Sequence, residues 1–467
     1  MASYLIFATI SVGLILTGIT TSSISVAFPV MTTSFNASLV QSGWILSIYQ
    51  LACIIVMPLA GKLSDILGKR FTVLLSISMF ISGSFLCAIA PNIWSLIIFR
   101  FIQGMGGGSF FPVAMGIVAE AFPSKRQQFI GLISSIVPIG QIIGPNLGGW
   151  LVPTFGWRSL FWFNTGLAVL VLILVAVLIK SNRREKGHID LVGTGLLTGG
   201  LFGIFIGLSQ LENAGGNQST MSLIVAILLI VVGLIMMAFL MRTVSRSKEP
   251  IVDWVVLRGK PFLAANIFNF ILGACYVGIS AFIPLYVVSL FGMSTAESGL
   301  IMTPWSVGVM ISSTITSFFL VRWGYRKPMV IGCAIIAVGL SLLACEFRGI
   351  SILGLQLSVT VLLLGLTFLL GIGLGIALPS SNNACIDLMP ERVAGISGVR
   401  AMFRNIGGTF GISISTLLLN NSSNISTGFT LVYFGLAAFM LLGMPFIFRM
   451  PSQPGNQIQL KQARANA

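Results

Sequence analysis

Apolar stretches of about 20 residues recur along the whole of this 467-residue chain, with only short polar gaps between them. A bilayer core about 30 Å thick is crossed by a helix of about that length. Inside it no water is at hand, so every backbone N–H and C=O must bond within its own helix or within a closed barrel. Barrel strands would show alternating segments of about ten residues, and none is visible. The chain reads as an all-α, multi-pass membrane protein. Its charge agrees, because 8% of residues are charged where soluble domains carry about 25%.

Fourteen runs qualify as spans, at 4–30, 43–61, 71–90, 94–121, 127–151, 158–180, 190–209, 220–241, 262–290, 297–320, 327–346, 357–379, 394–419 and 427–448. The first has no basic segment before it, so it reads as a retained span and not a cleaved signal. Most Lys and Arg residues fall in alternate gaps, such as Lys62/Lys69/Arg70 and Arg322/Arg326/Lys327. By the positive-inside rule those gaps and both termini are cytoplasmic, which suits a plasma (inner) membrane protein. The net charge of +15 is spread over these gaps with no basic face, so nucleic acid is not an expected partner. The longest charged gaps, 181–189 and 242–261, divide the spans six, two and six. The expected domains are a first six-helix bundle at 1–182, two extra linker helices at 183–250, a second bundle at 251–450 and a polar tail at 451–467.

Several activities are excluded by residue type. The six cysteines are scattered and the single histidine, His188, sits in a gap, so no metal site or cofactor is expected. No HExxH motif or nucleophile–base pair supports an enzyme, and no GxxxxGK[ST] loop supports an ATP-driven pump.

Three motifs carry the functional reading. The first is the gap Gly61-Lys62-Leu63-Ser64-Asp65-Ile66-Leu67-Gly68-Lys69-Arg70, where glycines suit a tight turn and one acid sits among bases. A fainter echo, Arg322-Trp323-Gly324-Tyr325-Arg326-Lys327, occupies the equivalent gap of the second bundle. The second is Arg100 with Gln103 and Gly104 in span 4. An arginine within a span costs about 2.5–3.5 kcal/mol on insertion scales and faces the bundle interior or water. It either serves function or hydrogen-bonds carbonyls and pins helices together. The third is Gly140, Gly144 and Gly148, with Pro145 and Gly149, in span 5. Glycines four residues apart line one face for close packing, and Pro145 can kink the helix.

Together these motifs resemble the major facilitator superfamily, and in particular its 14-span drug:proton antiporter branch. Trp157-Arg158 with Phe161, Trp162 and Asn164, Asp190 to Gly193, and Arg404 to Gly408 also suit that group. The resemblance covers about residues 4–450. It implies a 6+2+6 helix arrangement, alternating access, and export of hydrophobic, often cationic, drugs against inward proton flow. It implies that Gly61, Asp65, Gly68, Lys69 and Arg70 latch the bundles on the cytoplasmic side. It also implies that Gly140 to Gly149 form a hinge-like face against the other bundle, and that Arg100 supports proton coupling. The expected partners are an amphiphilic small molecule, protons and membrane lipids, with the protein a monomer.

The chain departs from the pattern at Ile66, at Arg400, and above all at Thr20, where relatives carry an aspartate. No acid lies near the middle of a span, although a proton-coupled exporter of cations needs a buried carboxylate. Two readings follow. Coupling uses an acid at a cytoplasmic helix end, first Glu120 and then Asp387. Alternatively the cavity takes neutral, zwitterionic or anionic amphiphiles, lipids included, with Arg100 or Arg404 as counter-charge and with atypical or absent proton coupling. Further cavity candidates are the polar or aromatic residues Thr17, Thr20, Thr21, Tyr49, Gln50, Gln103, Gln141, Asn164, Asn266, Asn269, Tyr276 and Trp305, for which hydrogen bonding between helices is the alternative fate.

Overall fold

The structure, a computed structural model, describes residues 2–37, 39–179, 190–212, 220–244, 260–293, 295–346, 350–352, 355–390, 392–420 and 422–453. His188, the acids Glu185, Glu249, Asp253 and Glu391, the ends of the linker region at 183 and 250, and the tail beyond residue 453 lie outside these residues.

Fourteen helices of eighteen residues or more occur among the described residues. They are α1 (Ala2–Ser34), α2 (Leu39–Leu67), α3 (Lys69–Ala88), α4 (Ile93–Ala121), α5 (Arg126–Phe155), α6 (Arg158–Leu178), α7 (Leu191–Glu212) and α8 (Thr220–Val244). They continue as α9 (Lys260–Phe291), α10 (Thr295–Trp323), α11 (Arg326–Ala344), α12 (Val359–Ile386), α13 (Val393–Asn420) and α14 (Ile425–Leu442), with a short α15 (Met444–Ile447). The strands Ile350–Ile352 and Leu355–Leu357 form a small antiparallel pair between α11 and α12, with Ile350 opposite Leu357. Among the described residues, twelve stretches are long and apolar enough to cross a membrane. α7 supplies only the shorter apolar stretch Val192–Gly207, and α13, with Arg400 and Arg404 in its length, is not among the twelve.

Local chemistry sets the helix starts. Asn92 caps α4 by accepting from Ser95 N at 2.9 Å, and Ser95 returns a bond to the cap. Asp190 Oδ1 accepts from Gly193 N at 2.7 Å and caps α7. Ser358 and Asn424 cap α12 and α14 in the same way.

Two helices run furthest past the ends of the apolar runs that predicted them. α2 continues through Lys62, Ser64 and Asp65 to Leu67. The expected ten-residue loop therefore shrinks to Gly68, whose φ of 89° is open to glycine at little cost; Gly61 lies within helix and sets no turn. α12 continues past residue 379 through Pro379-Ser380-Ser381-Asn382-Asn383 to Ile386, and Ser380 to Asn383 are buried.

The chain forms two compact units. One comprises Met1–Arg126, Ile136–Leu257 and Glu391–Met402; the other comprises Gln127–Ser135, Arg258–Pro390 and Phe403–Ala467. Two helices therefore belong to both units. α5 changes unit after Ser135 and α13 changes unit after Met402.

Candidate functional site

In the first unit Arg100 is almost fully enclosed, at 1% exposure. Its Nε donates to the Ile45 carbonyl at 3.1 Å and its Nη1 to Gln103 Oε1 at 2.6 Å. Gln103 in turn donates to Ser84 Oγ at 2.7 Å. The guanidinium lies 4.3 Å from the centre of the Tyr49 ring. One arginine thus joins α2, α3 and α4, and Gly104 and Gly107 let α4 approach the Tyr49 backbone and hydroxyl. Along the same face of α2, Tyr49, Cys53 and Met57 pack with Ala401 of α13, and Phe111 borders the cluster. Arg400 is buried beside it, with its guanidinium 6.0 Å from the Phe111 ring centre.

The span-1 hydroxyls bond to their own helix. Thr17 donates to Leu14 O, Thr20 to Leu16 O and Thr21 to Thr17 O. Thr17 also lines a small cavity with Phe80, Phe110 and Val171. Gln50 is exposed and Gln141 half-buried. Asn164 is 1% exposed, and neither amide atom has a hydrogen-bond partner among the described residues.

The residues expected to form the latch occupy the same unit. A Cβ on Gly61 would lie 2.6 Å from Gly395 Cα, and one on Gly398 would lie 2.3 Å from Met57 O. The backbones of α2 and α13 meet there with no side chain between them. Asp65 Oδ2 lies 3.7 Å from the Cβ position of Gly395, within the first turn of α13, where the helix dipole favours an anion. Two bases of this motif turn elsewhere: Lys69 pairs with Glu120, and Arg70 donates to Ala176 O at 2.8 Å. Glu120 is therefore an exposed ion-pair partner at the end of α4.

The face of Gly140 and Gly144 packs on α1. Added Cβ atoms would strike Ile15 O at 2.2 Å and Ser22 Oγ at 2.0 Å, respectively. α1 is in the same unit, so the expectation that this face meets the other bundle is corrected. The small residues Gly18 and Gly140 bring the two backbones together. Gly148 is buried, whereas Pro145 and Gly149 are exposed.

In the second unit Arg404 is half-buried on α13. The Tyr276 and Trp305 rings are 6.1 Å apart. A Cβ on Gly273 would fall 1.9 Å from Arg404 O, so α9 and α13 cross closely at this level. Asn266 and Asn269 are buried. Asn269 donates to Ala265 O at 2.8 Å and accepts from Ser381 Oγ at 3.3 Å.

Asp387 accepts from the buried Tyr325 hydroxyl at 2.6 Å. The turn carrying Tyr325, the echo motif, also holds the end of the described chain. Tyr325 N donates to Ser452 O, and Arg326 donates twice to Met450 O, at 3.0 and 2.8 Å. The two equivalent gaps thus hold different objects.

The sequence reading missed one cluster. Ser134 and Ser135 of α5, Ser313 and Thr314 of α10, and Asn382 and Asn383 of α12 are joined by hydrogen bonds within the second unit. The run Pro379 to Asn383 was the available signal, because polar residues in succession at a span end are either solvated or, as here, enclosed.

Comparison with known proteins gives the family. The Major Facilitator Superfamily model matches residues 10–191, 188–347 and 291–467. The chain is 29% identical over 393 residues to the multidrug transporter protein MdtP of Bacillus subtilis, covering 82% of this chain and 70% of MdtP. It is 30% identical over 413 residues to a multidrug resistance protein B homolog of Mycobacterium tuberculosis, covering 86% and 74%. It is 28% identical to the tetracenomycin C resistance and export protein of Streptomyces glaucescens, covering 88% and 74%. Among solved structures, the proton:xylose symporter XylE shares the fold at a TM-score of 0.67 and 16% identity, over 96% of this chain and 95% of XylE. The human transporter MFSD10 shares it at 0.63 and 15%, over 95% and 99%. The apolar helices, the motifs and a family match running from residue 10 to the last residue agree: this chain belongs to the Major Facilitator Superfamily of membrane transporters.

Proposed function

We propose that this protein exports hydrophobic or amphiphilic small molecules, drugs among them, by alternating access coupled to protons. The observation that carries the reading is the pair of shared helices. Gln127–Ser135 of α5 and the part of α13 from Phe403 onward belong with the second unit, while the rest of each helix belongs with the first. The names of the bacterial relatives, which include multidrug and tetracenomycin exporters, support drugs as the substrate class. In this reading six-helix bundles at 1–182 and 251–450 rock about a shared cavity, and 183–250 supplies two further spans for fourteen in a 6+2+6 order. The monomer lies in the plasma membrane with both termini cytoplasmic. Glu120 and Asp387, at helix ends, are the acids assigned to proton coupling, and Arg100 is assigned to support it within the first bundle.

A second reading is favoured by one specific arrangement. The Arg404 backbone packs on Gly273 of α9, one turn from Tyr276, whose ring neighbours that of Trp305, so this level of the helix pair offers a cation and an aromatic wall. This suits the headgroup of an anionic amphiphile or lipid. Proteoliposome transport separates the readings. Cationic, neutral and anionic amphiphiles are tested with and without an imposed pH gradient. Gradient-driven cation movement with proton counterflow supports the first reading; flux of anions alone, indifferent to pH and lost in Arg404→Ala, supports the second. Absence of flux for every probe would sink both.

A further inference from the structure

Trp157-Arg158, with Phe161 and Trp162, gathers one end of the first unit and has no part in the proposed transport. Trp157 is buried and donates its indole N–H to Ser34 Oγ at 3.2 Å. Its ring centre lies 5.4 Å from that of Phe35 and 6.0 Å from that of Phe161. The exposed Arg158 rests on this indole, with its guanidinium 4.3 Å from the ring centre, and donates one N–H to Ala90 O at 3.0 Å. The ends of α1 and α3 thus meet the start of α6. A guanidinium has five N–H groups, and the others on Arg158 have no acceptor among the described residues. No acid answers this charge. The gaps at this end of the first six helices, 35–38, 89–92 and 156–157, contain no Asp or Glu. None occurs between Asp65 and Glu120, or between Glu120 and Glu185.

We infer that Arg158 and the outer face of α6 hold one anionic phospholipid, as a resident ligand and not as cargo. Three observations carry it. First, the unanswered guanidinium suits a phosphate, which it can meet with two parallel N–H bonds. The Trp157 ring and the Ala90 carbonyl already fix its plane, so little side-chain freedom is lost on binding. Second, exposed tryptophans flank it. Trp162, one turn along the same face of α6, is 48% exposed and meets Phe85 of α3 edge-on at 5.5 Å. Trp94, four residues past Ala90, is 59% exposed. Tryptophan is the residue that settles at the headgroup level of a bilayer. Third, the rest of that face is bare and apolar. Trp162, Gly166, Val169, Ile173 and Val177 recur at helical spacing and all are exposed. A Cβ on Gly166 would meet nothing within 4 Å. At 1.5 Å per residue this track runs about 22 Å, enough for an acyl chain crossing the about 15 Å of one leaflet. A cation at the head and an apolar track below it match the two ends of a single lipid. α8 has the apolar face alone, because residues 213–222, at its start, include no Lys or Arg.

The test is photolabelling of the full chain in proteoliposomes. Phosphatidylglycerol with a diazirine in one acyl chain is added in trace amount, the sample is irradiated, and adducts are mapped by mass spectrometry. Bulk lipid labels every bare helix, so α8, exposed from Leu223 to Phe239, is the internal reference. The ratio of adducts on 158–177 to adducts on 223–239 should exceed the same ratio for a diazirine phosphatidylcholine by about fivefold, the worth of one arginine charge at a membrane surface. Arg158→Gln should bring the two ratios together, and Arg158→Lys should keep part of the preference. Equal ratios for both lipids in the parent protein overturn the inference, and that measurement stands even where Arg158→Gln does not insert. A preference that persists undiminished in Arg158→Gln overturns it as well. Excess inorganic phosphate should leave the labelling in place; loss of the preference would give the site to a free anion and remove the lipid.

Discussion

Two contacts between helix ends, one in each unit, are built on opposite plans. Where α2 meets α13, glycine faces backbone and nothing lies between: Gly61 against Gly395 and Gly398 against Met57 O. Where α5 meets α10 and α12, four side-chain hydrogen bonds and one close glycine share the work. The first contact is limited by space and tuned by one carboxylate near the start of α13. The second is a sum of small terms, none of them charged. A single substitution should therefore be severe in the first contact and mild in the second.

The largest expected effect is Gly398→Leu. Its Cβ alone would sit 2.3 Å from the Met57 carbonyl, and overpacking of this kind costs about 1–3 kcal/mol. Flux should fall by one to two orders of magnitude while the protein still inserts and keeps its helical circular dichroism. Unchanged flux would mean that this approach is not needed for transport, and the contrast with the second contact would vanish.

Next comes Asp65→Asn. A carboxylate at a helix N-terminus contributes about 0.3–1 kcal/mol, or roughly two- to fivefold in flux. Asp65→Glu, which keeps the charge, should recover part of the loss. Equal losses in both would point to shape and not charge at this position.

These two predictions rest on residues that the sequence announced. Gly61 and Asp65 stand in a charged interruption between apolar runs, and the helices themselves were visible because lipid-facing and buried residues are both apolar. The second contact was hidden by its own chemistry. Ser134, Ser135, Ser313 and Thr314 are small enough to sit in apolar helices without disturbing their hydropathy. Ser380 to Asn383 looked like the solvated end of span 12, and only packing shows them enclosed. Arg100 was visible, but the bonds to Ile45 O and Gln103 that hold it depend on tertiary placement. The direction of the span-5 glycines, toward α1, could not be read from their spacing, because a fourfold repeat defines a face and not its partner.

Ser313→Ala should cost far less than either change at the first contact. Hydrogen bonds between membrane helices average about 0.6 kcal/mol in double-mutant cycles, close to threefold in a rate or a population. Ser135→Ala should cost somewhat more, because it also removes the acceptor of the Thr314 hydroxyl, and the double variant should add little to it, because both changes remove the bond that the two serine hydroxyls share. Additive losses would show that the residues act through separate partners, and a tenfold loss from one of them would erase the contrast between the two contacts.

Thr20→Val should be the mildest substitution, within twofold of the parent in flux. The position draws notice because the family resemblance leads one to expect an aspartate there. Its hydroxyl, however, donates to Leu16 O of the same helix at 2.8 Å. That carbonyl keeps its own α-helical N–H partner when the hydroxyl is gone. Valine preserves the shape of the side chain and leaves no unpaired donor, so little remains to be lost at a site that is fully buried. Neither contact includes Thr20, and a change confined to span 1 should leave both in place. A collapse of proton-coupled flux in Thr20→Val, with folding intact, would move the centre of the mechanism away from the two contacts and back to span 1.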